Sequence, residues 1–255
     1  TQLSYTDLGF VVPGLYSLEM RIAPWQQSNR TQYHALYAQD QWTLGRATLQ
    51  AAVRYDRAWS WFPAEHNGAP QASRFNAAPI SFGESTGVTG YNDITPRLGL
   101  AYDVRGDGKT SVKVSFGKYL QGANNQENYT ISNPALDGRN GRRGPNFQTT
   151  ASRTWIDFNG NHEADCVLLN PAANGECIAA DLGNFANRGT LTQVNPAVLS
   201  GWGVRPYDWQ FGASIQQEIL PRTSLEVGFA RRWFENFFVN ANINLAVTDF
   251  DKPVK

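Results

Sequence analysis

From Ala47 to Asp56 the chain alternates: Ala47, Leu49, Ala51, Val53 and Tyr55 are apolar, Thr48, Gln50, Arg54 and Asp56 are polar, and only Ala52 breaks the order. A period of two belongs to a strand with two chemically different faces. The less regular run YHALYAQDQW before it is joined to it through Thr43–Arg46, four residues of hairpin length with Gly45 available for a positive φ. The unit recurs twice. In ITPRLGLAYDV, Ile94, Leu98, Leu100, Tyr102 and Val104 share one face with Pro96, and Thr95, Arg97, Gly99, Ala101 and Asp103 share the other. After the turn RGDGK, Val112, Val114 and Phe116 oppose Ser111, Lys113 and Ser115. In YDWQFGASIQQEI, Tyr207, Trp209, Phe211, Ala213, Ile215 and Ile219 oppose Asp208, Gln210, Ser214, Gln216 and Glu218. After the turn LPRT, Leu225, Val227, Phe229 and Trp233 oppose Ser224, Glu226, Gly228 and Arg232.

Several of these runs reach about ten residues, the length a tilted strand needs to cross a bilayer, against ~5–6 for most soluble strands. The pattern predicts an all-β fold, an antiparallel transmembrane β-barrel segment, with hairpins at about 33–57, 94–119 and 207–234. Its apolar face, including Leu49, Val53, Leu98, Leu100, Val112, Val114, Phe211 and Val227, is expected against lipid. The charges Arg54, Arg97, Lys113 and Glu226 are expected to face the lumen. Connection lengths agree: four or five residues inside each hairpin, but long loops at about 58–93 and 120–206 between them. Short periplasmic turns on one side and long extracellular loops on the other are the habit of outer-membrane barrels, whereas loops beyond ~12–15 residues are rare in compact soluble domains. Trp59, Trp61, Phe62, Tyr119, Trp202, Tyr207, Trp233 and Phe234 lie near strand ends, where an interfacial aromatic girdle belongs. LYSLEMRI, in which Tyr16, Leu18, Met20 and Ile22 alternate, predicts one more strand before a turn at about Pro24 to Arg30.

The ordered set LYAQDQWTL, LQAAVRYD, ITPRLGLAYDV and a strand ending FGKY resembles the barrel of TonB-dependent outer-membrane receptors, in particular their Oar-like branch. TWIDFNGNHEADCVLLNPAANGEC and RRWFENFFVNANI resemble that branch too, so the similarity covers most of Tyr33 to Asp251. The resemblance implies a receptor that takes up a bulky nutrient ligand with TonB as energy source. It also implies a plug domain inside a barrel of about twenty-two strands. No plug precedes Tyr33, so the chain reads as one internal piece of that barrel, 1–255, and supplies about eight strands. The partners so implied are outer-membrane lipid, the plug and TonB system of the full-length protein, and an unknown nutrient ligand.

Composition removes other classes. The 22 Lys+Arg balance the 22 Asp+Glu, so nothing recommends nucleic acid as a partner. Mean hydropathy is −0.44, and no run approaches the ~18 apolar residues of a transmembrane helix. Barrels escape that measure because only alternate residues are apolar.

Candidate chemistry gathers in the 120–206 stretch. Cys166 and Cys177 are the only cysteines, and an even count in an oxidising compartment reads as a disulfide; two free thiols would require a reducing compartment instead. Asp157, Asn159, Asn161, Glu163 and Asp165 place oxygen ligands at alternate positions around Gly160, as a calcium loop does, but Gly stands fourth and Leu168 occupies the twelfth place. An Asn/Asp-rich turn accounts for the same residues. Arg139, Arg142 and Arg143 in GRNGRRG offer a basic loop for an anion, or a solvated turn. GESTG (Gly83–Gly87) matches the nucleophile-elbow pattern but lacks the helix after it, and Cys166 replaces the second histidine of a His-Glu zinc motif at His162. His34, His66 and His162 are scattered, and no residue is assigned to catalysis. Two rival functions remain at this point: a non-transporting adhesion or structural barrel, and a soluble β-rich carbohydrate-binding domain.

Overall fold

Two of the predicted hairpins close more tightly than the sequence suggested. In the computed structural model, which describes residues 2–7, 15–71, 78–137, 147–189 and 193–244, only Gly45–Arg46 and Pro221–Arg222 separate the paired strands, in place of four residues. Gly45 has φ +58° and Arg222 φ +67°. Two-residue connections with positive φ match the right-handed twist of the strands they join, so the ladder runs almost to the turn. In the third hairpin the Asp103 carboxylate accepts the N–H groups of Gly106 at 2.8 Å and Gly108 at 2.9 Å, organising the turn between its strands.

The strands in chain order are β1 (Gln2–Asp7), β2 (Leu15–Arg21), β3 (Arg30–Leu44), β4 (Ala47–Phe62), β5 (Glu65–Asn67), β6 (Ile80–Phe82), β7 (Ser85–Thr86), β8 (Gly90–Asp103), β9 (Thr110–Leu120), β10 (Thr150–Ile156), β11 (Ser200–Trp202), β12 (Tyr207–Leu220) and β13 (Thr223–Glu235). The main sheet has the path β13-β12-β9-β8-β4-β3, with β11 added beside β8 and β7 beside β4. It stays open among the described residues. Its long members have 11 to 16 residues, enough to cross a bilayer at a tilt. No helix of the described residues is long and apolar enough to cross a membrane.

The chain divides into two compact units, and β3, β4, β8 and β11 contribute to both. One, residues 35–56, 93–121 and 202–255, carries the hairpin ends of the main sheet. The other, residues 1–34, 57–92 and 122–201, holds much of what the sequence presented as long loops. Within it β2 pairs antiparallel with β1 on one side and β10 on the other. Leu18, Met20 and Ile22 alternate inward onto Phe147, Ala151, Trp155, Leu168 and Phe185, and all are buried. These loop residues therefore build a core of their own, because the apolar face of β2 has a partner 130 residues further on.

Candidate functional site

The register of β8, β9, β12 and β13 arranges their side chains in rows that cross all four strands. On one face the rows are Arg97–Gly117–Gln210–Arg232, Gly99–Ser115–Gly212–Ala230, Ala101–Lys113–Ser214–Gly228 and Asp103–Ser111–Gln216–Glu226. On the other they are Leu98–Phe116–Phe211–Arg231, Leu100–Val114–Ala213–Phe229 and Tyr102–Val112–Ile215–Val227. Sequence alternation thus survives as a chemical difference between faces. Arg97, Lys113 and Glu226 share the polar one. Arg54 belongs with them: a Cβ on Gly99 would touch Gln50, which stands at even spacing from Arg54 on β4.

The polar face is low in relief and tied together by charge. Gly117 leaves room for Arg97, since a Cβ there would lie 3.1 Å from the arginine stem, and the Arg97 guanidinium lies 4.5 Å from the centre of the Tyr119 ring. Lys113 donates to Gln216 at 3.1 Å. Arg232 grips Asp208 through two hydrogen bonds of 2.8 and 2.7 Å, and Gln210 adds a third at 2.8 Å. Arg54 does the same to Asp56 at 3.0 Å. Asp93 and Arg205 form a buried pair at 3.0 Å. A shallow cavity of about 460 Å³ runs along this sheet, lined by Lys113, Ser115, Gly212, Ser214, Gly228 and Ala230 among others. Sequence reading found Asp208 and Arg232 as polar positions but not as a pair, because the pairing depends on a register that no single strand reveals.

The opposite face is apolar and exposed: Leu98, Leu100, Val227 and Phe229 are all solvent-accessible. Between the row of Tyr207 and Glu235 and the row of Gln217 it spans ten residues along β12. At a rise of ~3.4 Å and a tilt near 40° that is a band about 26 Å high, the height of the apolar belt of an outer-membrane barrel. Aromatic side chains gather at its long-loop end, where Phe116 and Trp209 stack with centroids 4.8 Å apart and planes 7° from parallel.

Cys166 and Cys177 are bonded, as the cysteine count led one to expect. Around them the structure supplies what the sequence did not show. Arg153, 2% exposed, points into the lobe and donates to five backbone carbonyls: Ile178 at 3.2 Å, Val167 at 3.3 Å, Leu168 at 3.1 Å, Ala172 at 2.8 Å, and Asn170. Burial lowers its pKa from the ordinary guanidinium value. The only signal in the sequence is that Arg153 shares the parity of Ala151 and Trp155, the buried face of β10. Gly175, at φ +54°, lies against the Asp165 carbonyl, a position with no room for a Cβ.

The five oxygen-bearing residues considered for calcium form a knot of turns. Asp157 accepts the N–H of Gly160 at 2.7 Å and of His162 at 3.1 Å, Asn159 accepts that of Asn161 at 2.9 Å, and Asn161 that of Glu163 at 2.7 Å. Asp165 accepts both asparagine amides at 2.8 Å. Among the described residues no group of three or more His, Cys, Asp or Glu side chains is placed to hold a metal ion. The elbow-like GESTG segment supplies β7, two residues laid against Trp61 and Phe62, and another strand follows it. His34 packs on Trp59, His66 bonds Ser81, and His162 stands beside Asp157, three unrelated settings. Arg139, Arg142 and Arg143 fall outside the described residues.

No curated protein and no solved structure matches this sequence. A family model does, over residues 14–254, and its description is that of an outer membrane beta barrel domain. With nearly the whole chain matched, and with a two-faced antiparallel sheet whose apolar belt has bilayer height, the chain belongs to the outer membrane beta barrel domain family and resides in the bacterial outer membrane.

Proposed function

We propose that the chain is the barrel part of a TonB-dependent receptor that imports a bulky nutrient ligand, with no catalytic role. The observation that carries this reading is the polar face: rows of Gly, Ala and Ser broken by Arg97, Lys113, Asp208 and Arg232, on the strands whose other face is apolar. Turned toward the lumen, such a surface lets a folded plug approach closely and offers paired charges for it to exchange on moving. A disulfide-bonded lobe with its own core in the long connections supports capture of ligand outside the membrane. Lipid, plug, TonB and the nutrient are the partners on this reading.

The test is uptake by cells that produce the full-length protein, supplied in turn with iron chelates, cobalamin, oligosaccharides and peptides, with TonB present or deleted. TonB-dependent accumulation of one of these classes is expected. Uptake indifferent to TonB, or none from any class, would refute the reading and favour a structural or adhesive barrel.

A further inference from the structure

We propose that residues 124–137 form a fixed strap across the inner wall of the barrel, narrowing its mouth and setting the polar edge that an incoming ligand meets. The proposal rests on the reading that the polar face is lumenal, and not on TonB. Parity along the strands carries it. On β4, Ala58, Ser60 and Phe62 share the parity of Arg54 and Asp56, and all three are buried, while Arg57, Trp59 and Trp61 alternate on the other side. On β8, Tyr91 shares the parity of Arg97 and is buried as well. On β3, Gln32 and His34 lie on the outer side, because His34 packs on Trp59, which leaves Thr31 on the inner one. Inner positions at the mouth of a barrel are wet unless something lies over them.

The 124–137 segment is what touches them. The Ser60 hydroxyl donates to the Tyr129 carbonyl at 2.8 Å and accepts the Val88 N–H at 2.9 Å. The Tyr91 hydroxyl accepts the Asn128 amide at 3.1 Å, and the Tyr91 and Tyr129 rings meet edge to face with centroids 5.7 Å apart. The Thr31 hydroxyl donates to Asn125 Oδ1 at 2.6 Å. Three strands thus hold one segment by their inner side chains. Further along, Asn133 donates to the Ser28 carbonyl at 3.0 Å, and the Ala135 carbonyl accepts the Trp25 indole N–H at 3.2 Å. Asn128, Tyr129, Asn133, Ala135 and Leu136 are buried, so the segment is packed in place and is not a free lid. Gly87 marks how close the fit is: a Cβ there would collide with Ser60 Oγ and lie 3.1 Å from the Tyr129 carbonyl. The strap leaves Asn124, Asn125, Gln126 and Glu127 exposed, an edge of carboxamides with one carboxylate.

The experiment uses introduced cysteines in the full-length protein on intact cells, with no ligand added. Thr31→Cys with Asn125→Cys should form a new disulfide under mild oxidation, whereas Gln32→Cys with Asn125→Cys should not. Ser60→Cys should be shielded from a small membrane-impermeant methanethiosulfonate, and Gln126→Cys should react at once. Gly87→Ala added to Ser60→Cys should speed its labelling about tenfold, because overpacking lifts the segment that covers it. Tyr91→Phe, which removes the partner of Asn128 without crowding, should give a smaller rise and serves if Gly87→Ala does not fold. Crosslinking through Gln32 in place of Thr31, or Ser60→Cys reacting as fast as Gln126→Cys, would overturn the proposal. Hydrogen exchange at 128–136 as fast as in an unstructured peptide would show a mobile lid and overturn it too. A spin label at Val114 separates the two readings: water-accessible while the Thr31–Asn125 crosslink forms, it rejects the lumenal assignment itself; lipid-exposed while the crosslink fails, it rejects the strap alone.

Discussion

Arg153→Met isolates what one buried cation does for the disulfide-bonded unit. Methionine keeps much of the volume and removes every donor. Asn174 also donates to the carbonyls of Ala172 at 2.8 Å and of Val167 and Asn170 at 3.4 Å, so these retain a partner. The carbonyls of Leu168 and Ile178 have no other donor within reach among the described residues. Two stranded buried carbonyls cost ~1–3 kcal/mol each. Relief from desolvating a guanidinium offsets part of this, which leaves a local loss of about 3 kcal/mol. Hydrogen exchange reads it directly: protection of the 166–178 amides should fall by about two orders of magnitude, at 1.36 kcal/mol per tenfold. Amides of β9 and β12 should be unchanged. Arg153→Lys keeps the charge but not the planar fork and should fall between. Protection of 166–178 within threefold of the parent would refute the claim that Arg153 organises this lobe.

Gly175→Ala forces a Cβ onto the Asp165 carbonyl in left-handed backbone, at a cost of more than ~1 kcal/mol, so the Cys166–Cys177 bond should be reduced faster by dithiothreitol; an unchanged rate would contradict this. Asp93→Asn leaves Arg205 buried without its counter-charge and should lower the temperature at which the folded band converts to the unfolded one, with ~3–5 kcal/mol at stake; Asp93→Asn with Arg205→Met should recover part of it. Because the oxygens of Asp157, Asn159 and Asn161 already accept backbone N–H groups, added calcium should leave exchange at 157–165 unaltered; slowing there would establish a metal site in this turn.

The three hairpins were legible because each strand carries its own two-face code within about ten residues, and a turn's Gly or Pro marks the reversal. Cys166 and Cys177 were legible by count. The disulfide-bonded unit was not. β2 finds β10 across some 130 residues, and neither strand names its partner. The segment between reads as loop because its polar residues serve one another through Asx turns and the carbonyls around Arg153, with no period at all. The cross-strand pair Asp208–Arg232 needed a register, which in turn needed the bulge between Glu218 and Leu220 that no alternation foretells.

The most direct test of the two-faced sheet is collisional accessibility of spin labels at Leu98, Val114, Lys113 and Ser115 in the full-length protein in a bilayer. The account predicts labels at Leu98 and Val114 relaxed by oxygen and shielded from a water-soluble nickel chelate, with Lys113 and Ser115 shielded from lipid. Water-accessible labels at Leu98 and Val114 would contradict it.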